Sequence, residues 1–321
     1  LTDLEALLGD GKETLTLRSV DPAVDPKVKK HDREEEFSIF VSEQRLCKDE
    51  YEIREMQAAV DATALGFNDV IHAMPAAVET PRGERVLDAA FYGRARILGN
   101  DLGYNTIVGA GSHACVLHWI RNDGDVRRGE LVLVDAGVEV ESFYTADITR
   151  TLPVDGKFSP AQRALYMLVY ESQLAGFAAI KPGVLFSEIN KACQAVLAKG
   201  LADMGVLTVS AEESLRPEVG LHRRWTLHGV SHHLGLDVHD CAQARKDQYL
   251  DAPLREGMVL TVEPGLYIQP DDELFAPEYR GIGIRIEDDV VVTADGCRNI
   301  SENIPRHPDE IEKWMKSVLG R

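Results

Sequence analysis

The sequence has few cysteines, and they are scattered. Its 321 residues include five, with no CxxC pair, at Cys47, Cys115, Cys193, Cys241 and Cys297. An odd and dispersed set argues against a disulfide framework and against a structural zinc cluster. A reducing compartment fits best, so we expect a cytoplasmic protein.

Basic residues are also in deficit, with 35 Lys and Arg against 53 Asp and Glu and a formal charge of -18. A surface of this sign repels nucleic-acid phosphates. No apolar run approaches the roughly 18 residues of a spanning helix. We therefore expect neither a nucleic-acid nor a membrane partner, and the composition leaves open whether the chain forms a homo-oligomer.

The chain divides into a short leader and a long body. Residues 1–45 contain the polar, proline-punctuated stretch DPAVDPKVKKHDREEEF, which is typical of the end of another domain plus a linker. In the body, 46–321, apolar spacing predicts a helix over 49–74. Ser159 followed by Pro160 predicts the start of a helix that runs to about Ile180, and a further helix from Ser187 should stop at Gly200.

Each half of the body shows helices followed by strand-like runs, a faint internal duplication. We therefore expect an α+β protein in which helices cover one face of a curved, mostly antiparallel sheet.

Two aspartates stand on runs that can form one hairpin. If LVLVDAGVEV pairs with YTADITRTLPV about a turn centred on Glu141, Asp135 lies opposite Asp147. Facing like charges destabilise a ladder unless a cation lies between them. A buried Asp more often caps a turn or meets an Arg, so this pair alone is weak evidence.

A second acidic pair, Glu263 in TVEPG and Glu287 in GIRIED, also lies in β-rich runs. Alternation places Arg285 on the face of Glu287, with the neighbouring isoleucines on the other face. Taken alone, an Arg two residues before a Glu is more often a surface ion pair. Beside the other acidic residues, we interpret it as part of a site.

Between the acidic pairs lies HGVSHHLGLDVHD, with four His residues in thirteen positions of a chain that has ten. In an extended run His228 and His232 share a face, and His233 points away. His232 is therefore the better ligand. Gly235 allows a bend that can bring His239 back towards it.

Four carboxylates and one imidazole form a hard, oxygen-rich donor set that suits manganese. Burying four negative charges without cations would cost several kcal/mol each or force protonation, so two divalent ions are expected. Two ions roughly 3.5 to 4 Å apart can share a water, lower its pKa and polarise a carbonyl. This chemistry indicates a peptidase or amidase.

The order Asp, Asp, His, Glu, Glu in VDAGVEVESFYTADITR, HGVSHHLGLDVHD, TVEPGLY and GIGIRIEDD resembles the pita-bread metallopeptidases, and within them the bacterial aminopeptidase P group. The resemblance covers about residues 46–310. It implies a pita-bread fold and a dinuclear manganese site with the ligands Asp135, Asp147, His232, Glu263 and Glu287. It also implies that Glu263 is the general base that handles the proton of a bridging hydroxide.

Further roles follow only from this resemblance. NTIVGAGSHACVLHW is similar to the family's segment with a catalytic His, which falls on His118, and Tyr104 becomes a partner of the ligand set. His228 and His239 would contact the scissile carbonyl oxygen or the substrate beside it. Arg285 would orient a ligand carboxylate or Tyr104. His113 matches no family role and is interpreted as a loop residue.

The resemblance implies removal of an N-terminal residue that precedes proline. Prolidase, which cleaves Xaa-Pro dipeptides, stays an alternative, although the short stretch before the last ligand resembles aminopeptidase P more. Methionine aminopeptidase fits less well, because residues 1–45 resemble the end of a creatinase-like N-terminal domain. A non-catalytic peptide-binding module of this fold is disfavoured because all five ligand positions and the accessory His residues are intact in the sequence.

Overall fold

The computed structural model describes residues 3, 14–19 and 22–320. Its α-helices are α1 (Glu34–Gln44), α2 (Glu50–Glu79), α3 (Gly83–Leu98), α4 (Pro160–Ala179), α5 (Ser187–Asp203), α6 (Ala211–Ser214) and α7 (Pro308–Val318). Its strands are β1 (Asp101–Leu102), β2 (Ile107–Ala110), β3 (Leu131–Ala136), β4 (Val138–Glu139), β5 (Ile148–Pro153), β6 (Val259–Val262), β7 (Gly265–Tyr267), β8 (Gly283–Arg285), β9 (Asp288–Val292) and β10 (Cys297–Asn299). Helices and antiparallel sheets together confirm the predicted α+β class.

The helix starts follow from capping. Asp49 accepts hydrogen bonds from the amides of Tyr51 and Glu52, and Glu52 reaches back to the Asp49 amide. Ser159 forms the same reciprocal box with Gln162 ahead of α4. Each box satisfies amides that a helix start otherwise leaves without partners.

The predicted end of α5 is wrong, because the helix continues through Gly200 to Asp203. A Cβ at Gly200 would lie 2.3 Å from Cδ1 of Leu168 in α4. The glycine therefore lets two packed helices approach closely. It does not act as a stop signal.

The predicted hairpin register is also wrong, by two residues. Asp135 pairs with Thr149 and not with Asp147, so the turn centres on Ser142, one residue beyond Glu141. An isolated bridge between Glu139 and Thr145 continues the same register. An error of two residues preserves the alternation of side chains along the strands, so Asp135 and Asp147 still lie on the same face.

All named strand pairs are antiparallel, and the element order repeats. In the first half α2 and α3 precede the sheet β2-β3-β5, and in the second half α4 and α5 precede β10-β9-β6. One large apolar cluster joins these layers, including Phe67 of α2, Val134 of β3 and Tyr166 of α4. The segments with the predicted site residues lie where the two halves meet.

The leader contains a helix that the sequence analysis did not predict, α1. Glu43 at its end pairs with Arg245 of the body at 2.6 Å, and Arg18 pairs with Glu34 at 2.6 Å. The remainder of the predicted tail, residues 1–2, 4–13 and 20–21, lies outside the described residues. Among the described helices, none combines the length and the apolar character needed to cross a bilayer.

Candidate metal centre

The two halves enclose a cavity of about 590 Å³ at their junction. Every residue predicted for the site lines it, namely Tyr104, His118, Asp135, Asp147, His228, His232, His239, Glu263, Arg285 and Glu287. Segments that are up to 183 positions apart in sequence, from 104 to 287, therefore meet at one place.

Strand β6 positions the histidine segment. The Thr261 amide donates to the His232 carbonyl at 3.0 Å, and the Glu263 amide donates to the Val230 carbonyl at 2.9 Å. This pairing holds His232 beside Glu263. Likewise, the Glu287 amide donates to the Thr149 carbonyl of β5 at 3.1 Å, which brings the last acidic residue to the first hairpin.

The His232 ring directs Nε2 at two carboxylates. Nε2 lies 3.3 Å from Oδ2 of Asp147 and 3.3 Å from Oε1 of Glu263. Nδ1 lies 3.1 Å from the His233 carbonyl, to which it donates. Against the effect of burial, Asp147 and Glu263 raise the pKa of the His232 ring to about 9. Because Nδ1 is bound to the carbonyl, Nε2 is the atom that would exchange its proton for a metal ion.

Asp147, His232 and Glu287 can hold one cation together, because one ligand atom of each lies within 4.8 Å of the others. Asp135 has protein partners instead. It accepts from the Tyr104 hydroxyl at 2.6 Å and from Nη2 of Arg285 at 2.5 Å. Arg285 thus holds a candidate ligand carboxylate, one of the two contacts expected for it.

The carboxylates show a shortage of positive charge. Burial raises the pKa of Asp135, against the opposing effect of Arg285, and raises the pKa of Glu263 to about 7. Burial and then repulsion by Asp147 raise the pKa of Glu287 well above its usual value. Buried acids of this kind are neutralised either by protons or by cations.

The remaining histidines differ in their surroundings. His239 stands edge-on to His232, with ring centroids 4.5 Å apart. His118 is exposed at the cavity wall. Burial, followed by repulsion from Arg285, lowers the pKa of His228 to about 4, so this ring is neutral at neutral pH. His233 is buried against Phe186, as its outward direction in the sequence analysis indicated.

The model of metallopeptidase family M24 matches residues 54–294. The chain belongs to this family. Xaa-Pro aminopeptidase 1 of Streptomyces coelicolor is 54% identical over 289 residues, which are 90% of this chain and 58% of that relative. The M24 chain therefore spans less than two thirds of the length of that protein.

Solved structures show the same fold. Zinc-substituted Escherichia coli aminopeptidase P in complex with product matches with a TM-score of 0.78 and 39% identity, over 87% of this chain and 62% of that one. An aminopeptidase of Pseudomonas aeruginosa matches with a TM-score of 0.83 and 32% identity, over all of this chain and 75% of that one. The fold is the pita-bread fold, as predicted.

Two hydroxyl residues that the sequence of this M24 chain did not predict connect the site. Thr149 donates to Oε2 of Glu287 at 2.6 Å and accepts from Nε of Arg285 at 3.1 Å. The Tyr267 hydroxyl lies 2.9 Å from Nη1 of Arg285 and 2.7 Å from Nε2 of His228. Thr149 could have been found by its spacing of two from Asp147, whereas Tyr267 carries no local signal beyond its place after TVEPG.

In the structure of this M24 chain, His113 has a partner that the sequence did not predict. Its Nδ1 lies 2.8 Å from Oε1 of Glu84, a fully buried acid, and its ring stacks on Trp119 at 3.9 Å. Trp119 in turn donates to the other oxygen of Glu84 at 2.8 Å. His113 therefore helps to fix the loop that carries His118.

Proposed function

We propose that this chain is a metal-dependent exopeptidase that releases the N-terminal residue from peptides with proline in the second position. One observation carries the proposal: four carboxylates and the Nε2 of His232 converge on a cavity of peptide size in an M24 fold. The relatives named Xaa-Pro aminopeptidase support the substrate class.

The donor set fits a pair of divalent cations. Asp135, Asp147, His232, Glu263 and Glu287 are the proposed ligands, and their oxygen-rich composition favours manganese. The raised pKa values of three of these carboxyls support the fit, because cations would supply the missing charge. When bound, such ions lower the pKa of a coordinated water and polarise the scissile carbonyl.

The protein groups around these ligands have separate proposed roles. Glu263 is the general base that takes a proton from the attacking water, and its oxygens already face the His228 and His232 rings at 3.5 and 3.3 Å. His118 is the proposed catalytic histidine, and His228 and His239, which also line the cavity, contact the scissile carbonyl oxygen or the substrate beside it. Arg285 and Tyr104 hold Asp135 in one orientation from opposite oxygens.

Specificity follows from the chemistry of proline. The amide nitrogen of an Xaa-Pro bond has no hydrogen, so the site must recognise the shape of the ring. The substrate's α-amino group is cationic, and a carboxylate oxygen beside the bound cations can accept a charge-assisted hydrogen bond from it. N-acetylation removes that charge and should block turnover.

Peptide assays test the proposal. We expect manganese-dependent release of the first residue from Arg-Pro-Pro, slower cleavage of the dipeptide Arg-Pro, and little cleavage of Arg-Ala-Pro or of N-acetylated Arg-Pro-Pro. Chelator should abolish all of it. Efficient hydrolysis of the dipeptide with little action on the tripeptide would assign prolidase activity, and removal of Met from Met-Ala peptides would favour a methionine aminopeptidase.

The proposal extends to the leader. We propose that residues 1–45 are the end of a creatinase-like N-terminal domain followed by the connection to the catalytic body, 46–321. Support comes from the polar, proline-punctuated sequence and from the position of α1 directly before α2.

A further inference from the structure

Asp240, the residue after His239, is a buried acid held by two cations. Its side chain is 1% exposed. One oxygen accepts from Nη2 of Arg45, and the other accepts from Nζ of Lys48 at 2.9 Å. We call Arg45, Lys48 and Asp240 the Asp240 clamp. Both cations come from the segment between α1 and α2, far from the histidine segment in sequence.

The loop that contains His239 folds around this acid. The Asp240 amide donates to the His233 carbonyl at 2.9 Å, so residues 233–240 close on themselves. A Cβ at Gly235 would lie 2.3 Å from Oδ2 of Asp240, so only a glycine leaves room for the carboxylate there. Cys241, the next residue, has a φ of 59°, a left-handed conformation that is uncommon for a residue with a side chain.

Within the described part of the chain, no hydrogen bond fixes the His239 ring, which is exposed at the cavity. Its contact is the edge-on approach to His232. The position of the ring therefore depends on its backbone, which the clamp anchors at the next residue, Asp240.

We propose that Asp240 is a positioning residue for His239, and that Arg45 and Lys48 act on catalysis through it. The proposal rests on the function proposed above, in which His239 contacts substrate. It assigns part of the active-site support to the segment 45–48, which adjoins the leader.

The charges of the clamp decide which variants are informative. Lys48 is 1% exposed at its side chain, and within the described residues its ammonium hydrogen-bonds to Asp240 alone. Removing the acid leaves a buried cation without a partner, which is destabilising. Arg45 is less buried, at 26%, and it also pairs with the exposed Asp237 at 2.8 Å. Asp237→Asn is therefore the matched control, because it removes an acid from the same arginine at a side chain that is 67% exposed.

The test is a double-mutant cycle on manganese-loaded protein. Asp240→Asn should lower kcat for Arg-Pro-Pro by about 10- to 100-fold, as expected when a reacting group moves by a fraction of an ångström to an ångström. In a His239→Ala background the same change should have no further effect on kcat, because the residue acts through the missing ring. Manganese affinity should be unchanged, and Asp237→Asn should match the parent protein. An equal loss of kcat in both backgrounds would overturn the proposal.

Two further measurements test the proposal if Asp240→Asn does not fold or if the parent protein is inactive. If Asp240→Asn does not fold, Arg45→Gln runs the same cycle, with Arg45→Lys expected to restore kcat by keeping the charge. If the parent protein does not cleave Xaa-Pro peptides, the proposed function has failed and the clamp is tested by NMR of the metal-free protein. There the His239 ring signals, assigned with His239→Ala, should shift in Asp240→Asn and not in Asp237→Asn. Unchanged signals would refute the positioning role.

Discussion

Replacing Tyr267 with Phe removes one oxygen and keeps the ring, so it isolates the role of a hydroxyl within the site. The hydroxyl is buried and lies between Nη1 of Arg285 and Nε2 of His228. Arg285 keeps its bonds to Asp135 and Thr149, so the guanidinium should stay in place with one N–H unpaired. His228 is 18% exposed at its side chain and can find water.

The cost therefore falls mainly on the charged hydrogen bond. A hydrogen bond to a charged group contributes roughly 1.5–3 kcal/mol, so we expect Tyr267→Phe to lower the free energy of unfolding by about 2 kcal/mol. His228 also loses one of the two hydrogen bonds that orient its ring and keeps the one from Nδ1 to the Gly229 carbonyl at 2.8 Å. We expect kcat/KM for Arg-Pro-Pro to fall about 10-fold.

Urea unfolding followed by circular dichroism, together with steady-state kinetics, measures both effects. Tyr166→Phe is the matched control, because its buried hydroxyl has no hydrogen-bond partner among the residues that the structure describes. Losing that hydroxyl should be neutral or stabilising. If Tyr267→Phe and Tyr166→Phe unfold at the same urea concentration and retain full activity, the hydroxyl bridge from Arg285 to His228 has no energetic role.

Three further outcomes are expected. Glu263→Gln should abolish turnover and leave the circular dichroism spectrum unchanged, because the amide can neither act as a base nor supply a full ligand charge. Full activity of this variant with added manganese would contradict the assignment. Chelator should lower the thermal unfolding midpoint and manganese should restore it, because a cation that binds only the folded protein stabilises the folded protein. Equal midpoints with chelator and with manganese would show that no such site exists. Gly200→Ala should destabilise the protein by about 1–3 kcal/mol because the new methyl group clashes with Leu168, whereas Gly93→Ala, with open space at its Cβ in α3, should stabilise it by up to about 1 kcal/mol. Equal changes in the free energy of unfolding for the two variants would show that α4 and α5 can shift apart.

The candidate site was predictable from sequence because its ligands lie in short segments with strong local patterns. A register error of two residues does not change which face of the sheet a side chain lies on. The wrong partner for Asp135 therefore still gave the correct face. Clustering of histidines identified the segment along β6, and direction along an extended run separated His232 from His233.

The features that were missed depend on contacts between distant segments. Gly200 looks like a stop signal in sequence, and only its approach to Leu168 shows why a helix keeps it. Tyr267 and Thr149 resemble ordinary strand residues until Arg285 is placed between them. The polar composition of the leader hid α1, whose pairing with Arg245 involves a residue 202 positions away from Glu43.

The distribution of the candidate ligands over both halves has a consequence for biosynthesis. Asp135 and Asp147 are translated early, but His232, Glu263 and Glu287 follow only in the second half of the body. A nascent chain therefore exposes two acids that can attract cations weakly, long before it can enclose them. Stable loading has to wait until the segment with Glu287 has left the ribosome and paired with β5. Metal acquisition would then report that the two halves have docked, and an arrested chain that lacks the last strands would stay metal-free however well its first half had folded.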